Sequence, residues 1–585
     1  MAIESFSESR LPDPASAPPS APIGRRPRPV EGAAFGSDWW QRGVVYQVYP
    51  RSFADANGDG VGDLAGLIDR LDYLNDGTEQ SLGVDAIWLS PIYPSPGVDV
   101  GYDVSDHASI DPLFGTLDDF DRLIDEAHRR GIRIVLDLVM NHTSSAHPWF
   151  QESRADARGP RADWYIWRDP PRAWSRPPVR RRPNNWVSFF GGPAWTWDDA
   201  RGQFYLHTFL PEQPDLNWRN PEVRAAMLAM VRGWLDRGVD GFRLDVFNAY
   251  FKHAELRSNP RRVVGRRAYD RQRHHYDKDQ PELHEFLAEF RALVEERDGR
   301  MTVGELFAAD PRRAREYAAP RHLIFDFHLI NQPWSAAAFA AATAEREAIF
   351  GADGWPTVVL SNHDQSRHVS RFGGGRDGDA IARAAAVLLL GLRGTPFVYY
   401  GEEIGLRDVS IPRAEIVDPP ARRGGPIARR LSPWWNRDQA RSPMPWGDGP
   451  NGGFSPVRPW LRVAPDAAMR NVARQATDPA SVLSAYRRLV WLRRAHPALQ
   501  VGTYRRLTDA GRDVLAWVRA AGDDTIVLAV NFGRGPGSFR LEAPSGQTWQ
   551  RLFGTHEPAP SAARGGERVE LRPLEAVAFV ATPDG

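Results

Sequence analysis

Four apolar runs of this chain close on groups that can hold or pass a proton: Asp137-Leu-Val-Met-Asn141-His142, Gly241-Phe-Arg-Leu-Asp245, Val303-Gly-Glu305 and Leu360-Ser-Asn-His-Asp364. Arg243 stands two residues before Asp245, and alternate residues of a strand share a face. A carboxylate kept ionised by an adjacent guanidinium, opposite a carboxylic acid kept protonated, is the pairing that breaks a glycosidic bond through an oxocarbenium-like state. On that reading Asp245 is the nucleophile and Glu305 the acid/base. Each acid taken alone reads as an ordinary salt-bridge partner, but acids at several strand ends on one rim repel one another unless cations or function hold them there.

A second pattern, Asp55-Ala-Asn57-Gly-Asp59-Gly-Val61-Gly-Asp63, places oxygen ligands at alternate positions with Gly60 at the sharp turn, as a calcium loop requires. It is not an EF-hand, because its twelfth position is Gly66 rather than a bidentate Glu. On spacing alone a glycine-rich acidic turn without metal stays open beside the metal reading.

The elements that must carry these groups are short β-branched runs alternating with amphipathic segments, the pattern of a parallel sheet wrapped in helices. Val44–Pro50, Ala86–Ser90, Arg133–Asn141, Gly241–Val246, Thr302–Leu306, Leu323–Phe327, Val358–Asp364 and Phe397–Glu403 are eight candidate strands. Helical stretches such as Leu117–Arg130 and Pro221–Arg237 separate several of them. The expected fold is α/β, a (β/α)8 TIM barrel over 37–142 and 218–503. The interval between the third and fourth strands is unusually long and rich in Trp, Pro and Gly, so 143–217 is expected to be an inserted subdomain. Helical periodicity stops near residue 503, and runs such as Val514-Leu-Ala-Trp-Val and Ala576-Val-Ala-Phe-Val predict a C-terminal antiparallel β domain over 504–585. Residues 1–36 read as a disordered Pro/Ala-rich leader. The long Phe247–Asp279 segment is expected near the site entrance, with solvated charges.

Composition removes other chemistries. With 585 residues and 74 bases balancing 74 acids, the chain has no basic surplus for nucleic acid or anionic lipid. The absence of cysteine excludes disulfides, thiolate nucleophiles and thiolate metal sites. Nearly every base is arginine, Lys252 and Lys278 being the only lysines, which by itself reads as the codon usage of a GC-rich genome. No signal peptide or membrane-spanning run is evident, so a cytoplasmic protein is expected.

From about residue 40 to about residue 505 the chain resembles the α-amylase superfamily, family 13 of the glycoside hydrolases, and within it the oligo-1,6-glucosidase and α-glucosidase branch. The four acidic segments look like the family's signature segments in order, and Gln213-Pro-Asp-Leu-Asn217 resembles a fifth. The resemblance implies that Asp245 attacks the anomeric carbon, that Glu305 protonates the leaving oxygen and then activates water, and that Asp364 binds sugar hydroxyls. Retention of configuration follows, with the Asp245 and Glu305 carboxyls about 5–5.5 Å apart. It further implies sugar contacts from His142 and His363, and orientation of Asp245 by Arg243. Gly101-Tyr102-Asp103 resembles the segment whose Tyr stacks on the terminal glucose and whose Asp grips its hydroxyls. In Arg437-Asp-Gln-Ala-Arg441 the second Arg is expected at that sugar, and with Phe190 these groups close the pocket for exo action. The acidic loop, by the same resemblance, holds a structural Ca²⁺ or Mg²⁺ through Asp55, Asn57, Asp59, the Val61 carbonyl and Asp63. No organic cofactor is implied. The expected partner is a small oligosaccharide, and the chain is expected as a monomer or homodimer.

The implied activity is release of α-glucose from short α-glucosides through a glucosyl-aspartate. A transglucosylase or glucoside isomerase of the trehalose synthase or sucrose isomerase type would use the same residues. Val246 after the nucleophile goes, in this branch, with α-1,6 cleavage. A non-catalytic relative, the ectodomain of the amino-acid-transporter heavy chains, would need lost acids and a transmembrane helix.

Overall fold

A parallel strand covered on both faces has no polar face to alternate with, which is why eight stretches of this chain read as unbroken apolar runs. In the computed structural model they are β1 (Val45–Val48), β2 (Ala86–Leu89), β3 (Arg133–Leu138), β4 (Gly241–Leu244), β5 (Met301–Gly304), β6 (His322–Ile324), β7 (Thr357–Val359) and β8 (Thr395–Tyr399). Every residue in them is buried. The structure describes residues 38–171, 181–307, 310–423, 436–542, 547–556 and 562–583. The leader expected over 1–36 lies outside the described residues.

The strands pair in parallel in the order β7-β8-β1-β2-β3-β4-β5-β6, a nearly closed TIM barrel. Inward-facing Val45, Trp88, Val135, Val303, Leu323, Val359 and Phe397 fill its interior. At the seam between β6 and β7 a side chain stands in for the ladder. The Thr357 hydroxyl accepts from the Asp326 N–H at 2.9 Å and donates to the Ile324 carbonyl at 3.4 Å. Outside, amphipathic helices cover the barrel. The helix Leu117–Arg129 starts with a capping box, Thr116 Oγ1 accepting from Asp119 N–H and Asp119 Oδ2 accepting from Thr116 N–H. Such a cap stabilises a helix by about 1 kcal/mol.

Each strand is shorter than its apolar run predicts. β3 ends at Leu138 rather than Asn141, and β7 at Val359 rather than Asp364, because the last residues leave the ladder to build the rim. They stay tied to it: the Asp245 N–H donates to the Leu138 carbonyl at 3.0 Å and the Glu305 N–H to the Leu244 carbonyl at 2.9 Å.

Between β3 and β4 a small antiparallel sheet forms from Trp167–Arg168, Gln203–Leu206 and Trp195–Asp198. After residue 502 comes a six-stranded antiparallel sheet that includes Val514–Ala521, Asp524–Asn531 and Ala576–Pro583. It meets the barrel at a buried guanidinium, Arg519 donating to the Gly391 carbonyl of a barrel helix at 2.8 Å and to the sheet's own lead-in at Thr503 (2.9 Å) and Gly502 (3.0 Å). Among the described residues no helix is long and apolar enough to cross a membrane.

Candidate active site

On β4 the inward-facing positions are Gly241 and Arg243. A Cβ at Gly241 would meet the Met301 carbonyl at 2.6 Å, so the position admits only glycine. Arg243, at the top of the interior, is buried and fans its guanidinium across three acids. Its Nη1 donates to Asp137 Oδ1 at 2.7 Å and to Asp245 Oδ1 at 2.6 Å, and its Nη2 pairs with Glu305 Oε2. Burial works against its charge, but Asp137 and Asp245 hold it above the ordinary arginine range. Asp245 is pushed up to about 6 by burial and by Asp137, against the pull of Arg243. One cation cannot neutralise three ionised carboxylates, so the cluster favours keeping a proton.

The turn after Asp245 is strained. Val246 adopts φ 38°, ψ 38°, a left-handed conformation that a β-branched residue rarely takes. Val100, beside Asp99, is likewise left-handed at φ 51°. Both strained valines adjoin acids that line the cavity, where such strain tends to collect.

Asp364 receives Arg441 Nη2 at 2.9 Å and Arg437 Nη1 at 3.2 Å. Against burial, His363 and these two arginines hold its carboxyl well below the usual carboxylate range. Three residues expected at the sugar lie behind the cavity wall here. Arg441 is buried behind Asp364, with its Nε on the His363 carbonyl at 2.8 Å, and it is Arg437 that lines the cavity. Asp103 is also buried, its oxygens taken by the Val98 and Asp99 amides and the Ser95 hydroxyl. The acid lining the cavity is Asp99, paired with Arg437 Nη2 at 2.7 Å. His363, expected at the sugar, stands behind Tyr102 with the two rings stacked at 5.4 Å and 3°. Its Nε2 lies 2.6 Å from the Tyr102 hydroxyl, which donates to Asp137 at 3.0 Å. Burial pushes the His363 pKa down to about 3 and keeps the ring neutral.

Asp245, Glu305, Asp364, Tyr102, His142 and Phe190 all line one cavity of about 370 Å³. Phe190 reaches it from the insertion, with the Arg437 guanidinium 5.2 Å from its ring centre. Phe189 and Phe209 from the insertion and Phe307 after β5 extend this aromatic wall, Phe189 and Phe307 packing edge to face at 4.7 Å. Arg267 of the long Phe247–Asp279 segment also lines the cavity, held by Asp270 and stacked 4.4 Å from Phe189. Sequence reasoning missed Asp99, Arg437, Arg267, Phe189, Phe209 and Phe307. Only Asp99 and Arg437 left a signal, each being four residues from a like residue in a segment already singled out.

In the acidic loop, Asp55 accepts from the Gly58 and Gly60 amides at 2.7 and 2.8 Å, and Asp63 from the Ala56 and Asn57 amides at 3.0 and 3.1 Å. Asp59 Oδ1 accepts from the Val61 amide at 2.8 Å, and Gly60 sits at φ +93°. The donor chemistry suits a hard divalent cation. The carboxylates are spread along the loop, and among the described residues no group of three or more His, Cys, Asp or Glu is placed to share a metal ion.

An acidic cluster around one guanidinium on the C-terminal rim of a (β/α)8 barrel, walled by aromatic rings, is the layout of a carbohydrate-active enzyme. Comparison with known proteins makes the assignment specific. Residues 47–502 match the model of the α-amylase catalytic domain. The chain belongs to the α-amylase family, family 13 of the glycoside hydrolases. It is 43% identical over 511 residues to a probable α-glucosidase of Rhizobium meliloti, covering 84% of this chain and 89% of that one. It is 38% identical over 537 residues to an oligo-1,6-glucosidase of Parageobacillus thermoglucosidasius, covering 86% and 92%. Among solved structures, the α-glucosyl transfer enzyme XgtA superposes with a TM-score of 0.84 at 41% identity, covering 93% of this chain and 100% of that one.

Proposed function

We propose that the protein is a retaining, exo-acting α-glucosidase for short α-glucosides. The observation that carries this reading is Arg243 holding Asp245 on one terminal nitrogen and Glu305 on the other, beside a cavity of about 370 Å³. Asp245 attacks the anomeric carbon while Glu305 gives its proton to the departing oxygen, forming a β-glucosyl-aspartate. Glu305 then takes a proton from water, which displaces Asp245 and releases α-glucose. Asp364 accepts hydroxyl hydrogens of the distorted ring. Tyr102 lies under that ring, and the Arg437–Asp99 pair closes the pocket beyond one glucose, which supports exo action.

A second reading has support from the aromatic wall and from likeness to a glucosyl transfer enzyme: the glucosyl-aspartate passes to a sugar hydroxyl instead of water. A product time course on maltose, isomaltose, sucrose and 4-nitrophenyl α-glucoside separates the two. Initial release of α-glucose supports the hydrolase, and oligosaccharides or isomerised disaccharide without matching glucose support transfer. Release of β-glucose first contradicts retention. We also propose that the Asp55–Asp63 loop takes Ca²⁺ or Mg²⁺ as a structural ion. A rise of a few degrees in Tm on adding the ion to chelator-treated protein is the expected result, and an unchanged Tm rejects it.

A further inference from the structure

Seventy-four basic side chains include only two lysines, and both are buried, Lys252 at 1% and Lys278 at 5% exposure. Lysine is among the residues least often buried, so a chain that otherwise uses arginine for every base keeps lysine where arginine has most reason to fit poorly. At Lys252 the reason is geometric. Its Nζ meets Asn141 Oδ1 at 2.8 Å, Asp215 Oδ2 at 2.8 Å and the Ala249 carbonyl. These acceptors come from three segments: the rim beyond β3, the return of the insertion, and the turn after Asp245. Three acceptors converging on one nitrogen suit the three donors of an ammonium, whereas a guanidinium spreads its donors over a planar fork. Arg243 and Arg437 show that fork in use, each dividing its nitrogens among separate carboxylates.

The knot continues into the pocket wall. Asn141 Nδ2 donates to Asp215 Oδ1 at 3.2 Å and lies 3.2 Å from His142 Nδ1. Asp215 also forms a backbone bridge with His142. The other ring nitrogen, His142 Nε2, is 3.1 Å from the Tyr102 carbonyl and 3.1 Å from Gln213 Nε2. We propose that Lys252 is a positioning residue for sugar binding, its ammonium locking Asp215 and Asn141 so that His142 keeps its place beside Tyr102. This deepens the glucosidase reading and rests on it. His142 is faced by Asp215, Asp245, Lys252 and His107, and burial with Lys252 keeps it neutral against the pull of the two acids. Loss of the ammonium leaves Asp215 unopposed and makes His142 easier to protonate.

The test is steady-state kinetics on 4-nitrophenyl α-glucoside with K252R and K252M, alongside circular dichroism. K252R keeps the charge and loses the geometry, so KM is expected to rise about tenfold with kcat changed far less. K252M removes the charge as well as the geometry, so its KM is expected to rise at least as far. A K252R enzyme within about twofold of wild type in KM overturns the proposal. If neither variant folds, the charge-balanced pair D215N/K252M is measured instead. Wild-type KM in that pair, or its failure to fold, also overturns the proposal, because Lys252 then serves the fold and not the sugar. A wild-type enzyme inactive on all α-glucosides rejects the glucosidase reading instead. The same variants are then compared by calorimetric binding of glucose, where K252R is expected to weaken binding about tenfold and unchanged binding rejects the role given to Lys252.

Discussion

Arg243 and Arg519 are both fully buried guanidiniums, one in the candidate active site and one under the C-terminal sheet, and their partners set them apart. Arg519 donates to three backbone carbonyls, and burial, with Arg493 alongside, pushes its pKa well below the arginine range. Arg243 serves three carboxylates, and two of them, Asp137 and Asp245, raise its pKa despite the same burial. Carbonyls cannot titrate, so the Arg519 arrangement has one state and acts as a fastener. Three acids on one cation can share a proton in more than one way, and a proton that can move is what acid/base chemistry needs. Burial of a charge therefore does not by itself mark a site. An excess of titratable partners around it does.

The contrast can be broken from either side. The largest effect is expected at Asp245: D245N removes the proposed nucleophile and leaves Arg243 with its other partners, so turnover is expected to fall on the order of 10⁴-fold or more while the fold persists. Near-normal hydrolysis by D245N would remove Asp245 from the role given to it. R519M comes next, because it strips a donor from the Gly502 and Thr503 carbonyls and leaves Gly391 to Trp517 alone, loosening the sheet contact. It is expected to cost about 3–5 kcal/mol in chemical denaturation, with kcat per folded molecule unchanged. A loss of kcat without loss of stability would reverse the assignment of Arg519 as a fastener. R243K keeps a charge but cannot span three acids, and kcat is expected to drop about 10²–10³-fold on every substrate. The smallest effect is in pH. Asp245 must be ionised to attack and its pKa is raised to about 6, so kcat/KM is expected to fall about tenfold per unit as pH drops below that value. An acidic limb nearer pH 4 would show that Arg243 outweighs burial at this carboxylate.

The barrel was legible because its strands are buried on both faces, and the rim acids because they end apolar runs. Strand lengths were overestimated where apolar residues such as Val139, Met140 and Leu360 continue past the ladder. Twice the residue lining the cavity stands four positions from the one expected there, Asp99 beside Asp103 and Arg437 beside Arg441. Motif likeness locates a loop, but which of two identical side chains turns inward depends on which one the loop uses to hold itself. Asp103 is spent on its own loop's amides, and Arg441 on the His363 carbonyl and Asp364. The Phe247–Asp279 segment, expected to carry only solvated charge, is mixed. Arg261, Arg262, Arg266, Arg271 and Arg273 are exposed, while Arg267 turns to the cavity. Aromatic residues brought together from the insertion and from the loop after β5 left no common pattern in sequence.

The hydroxyl of Thr357 gives the barrel the mechanics of a split ring. Glu305 stands on one side of the split and Asp364 on the other, and across that line the Thr357 hydroxyl and the buried Arg346, which reaches the Thr357 carbonyl and faces Asp326, stand in for a run of backbone bonds. Amides flanking the split should exchange with deuterium sooner than those between β2 and β3. A bulky sugar would then be admitted by a slight spreading of the ring at this line, with the Arg243 cluster on the closed arc left undisturbed.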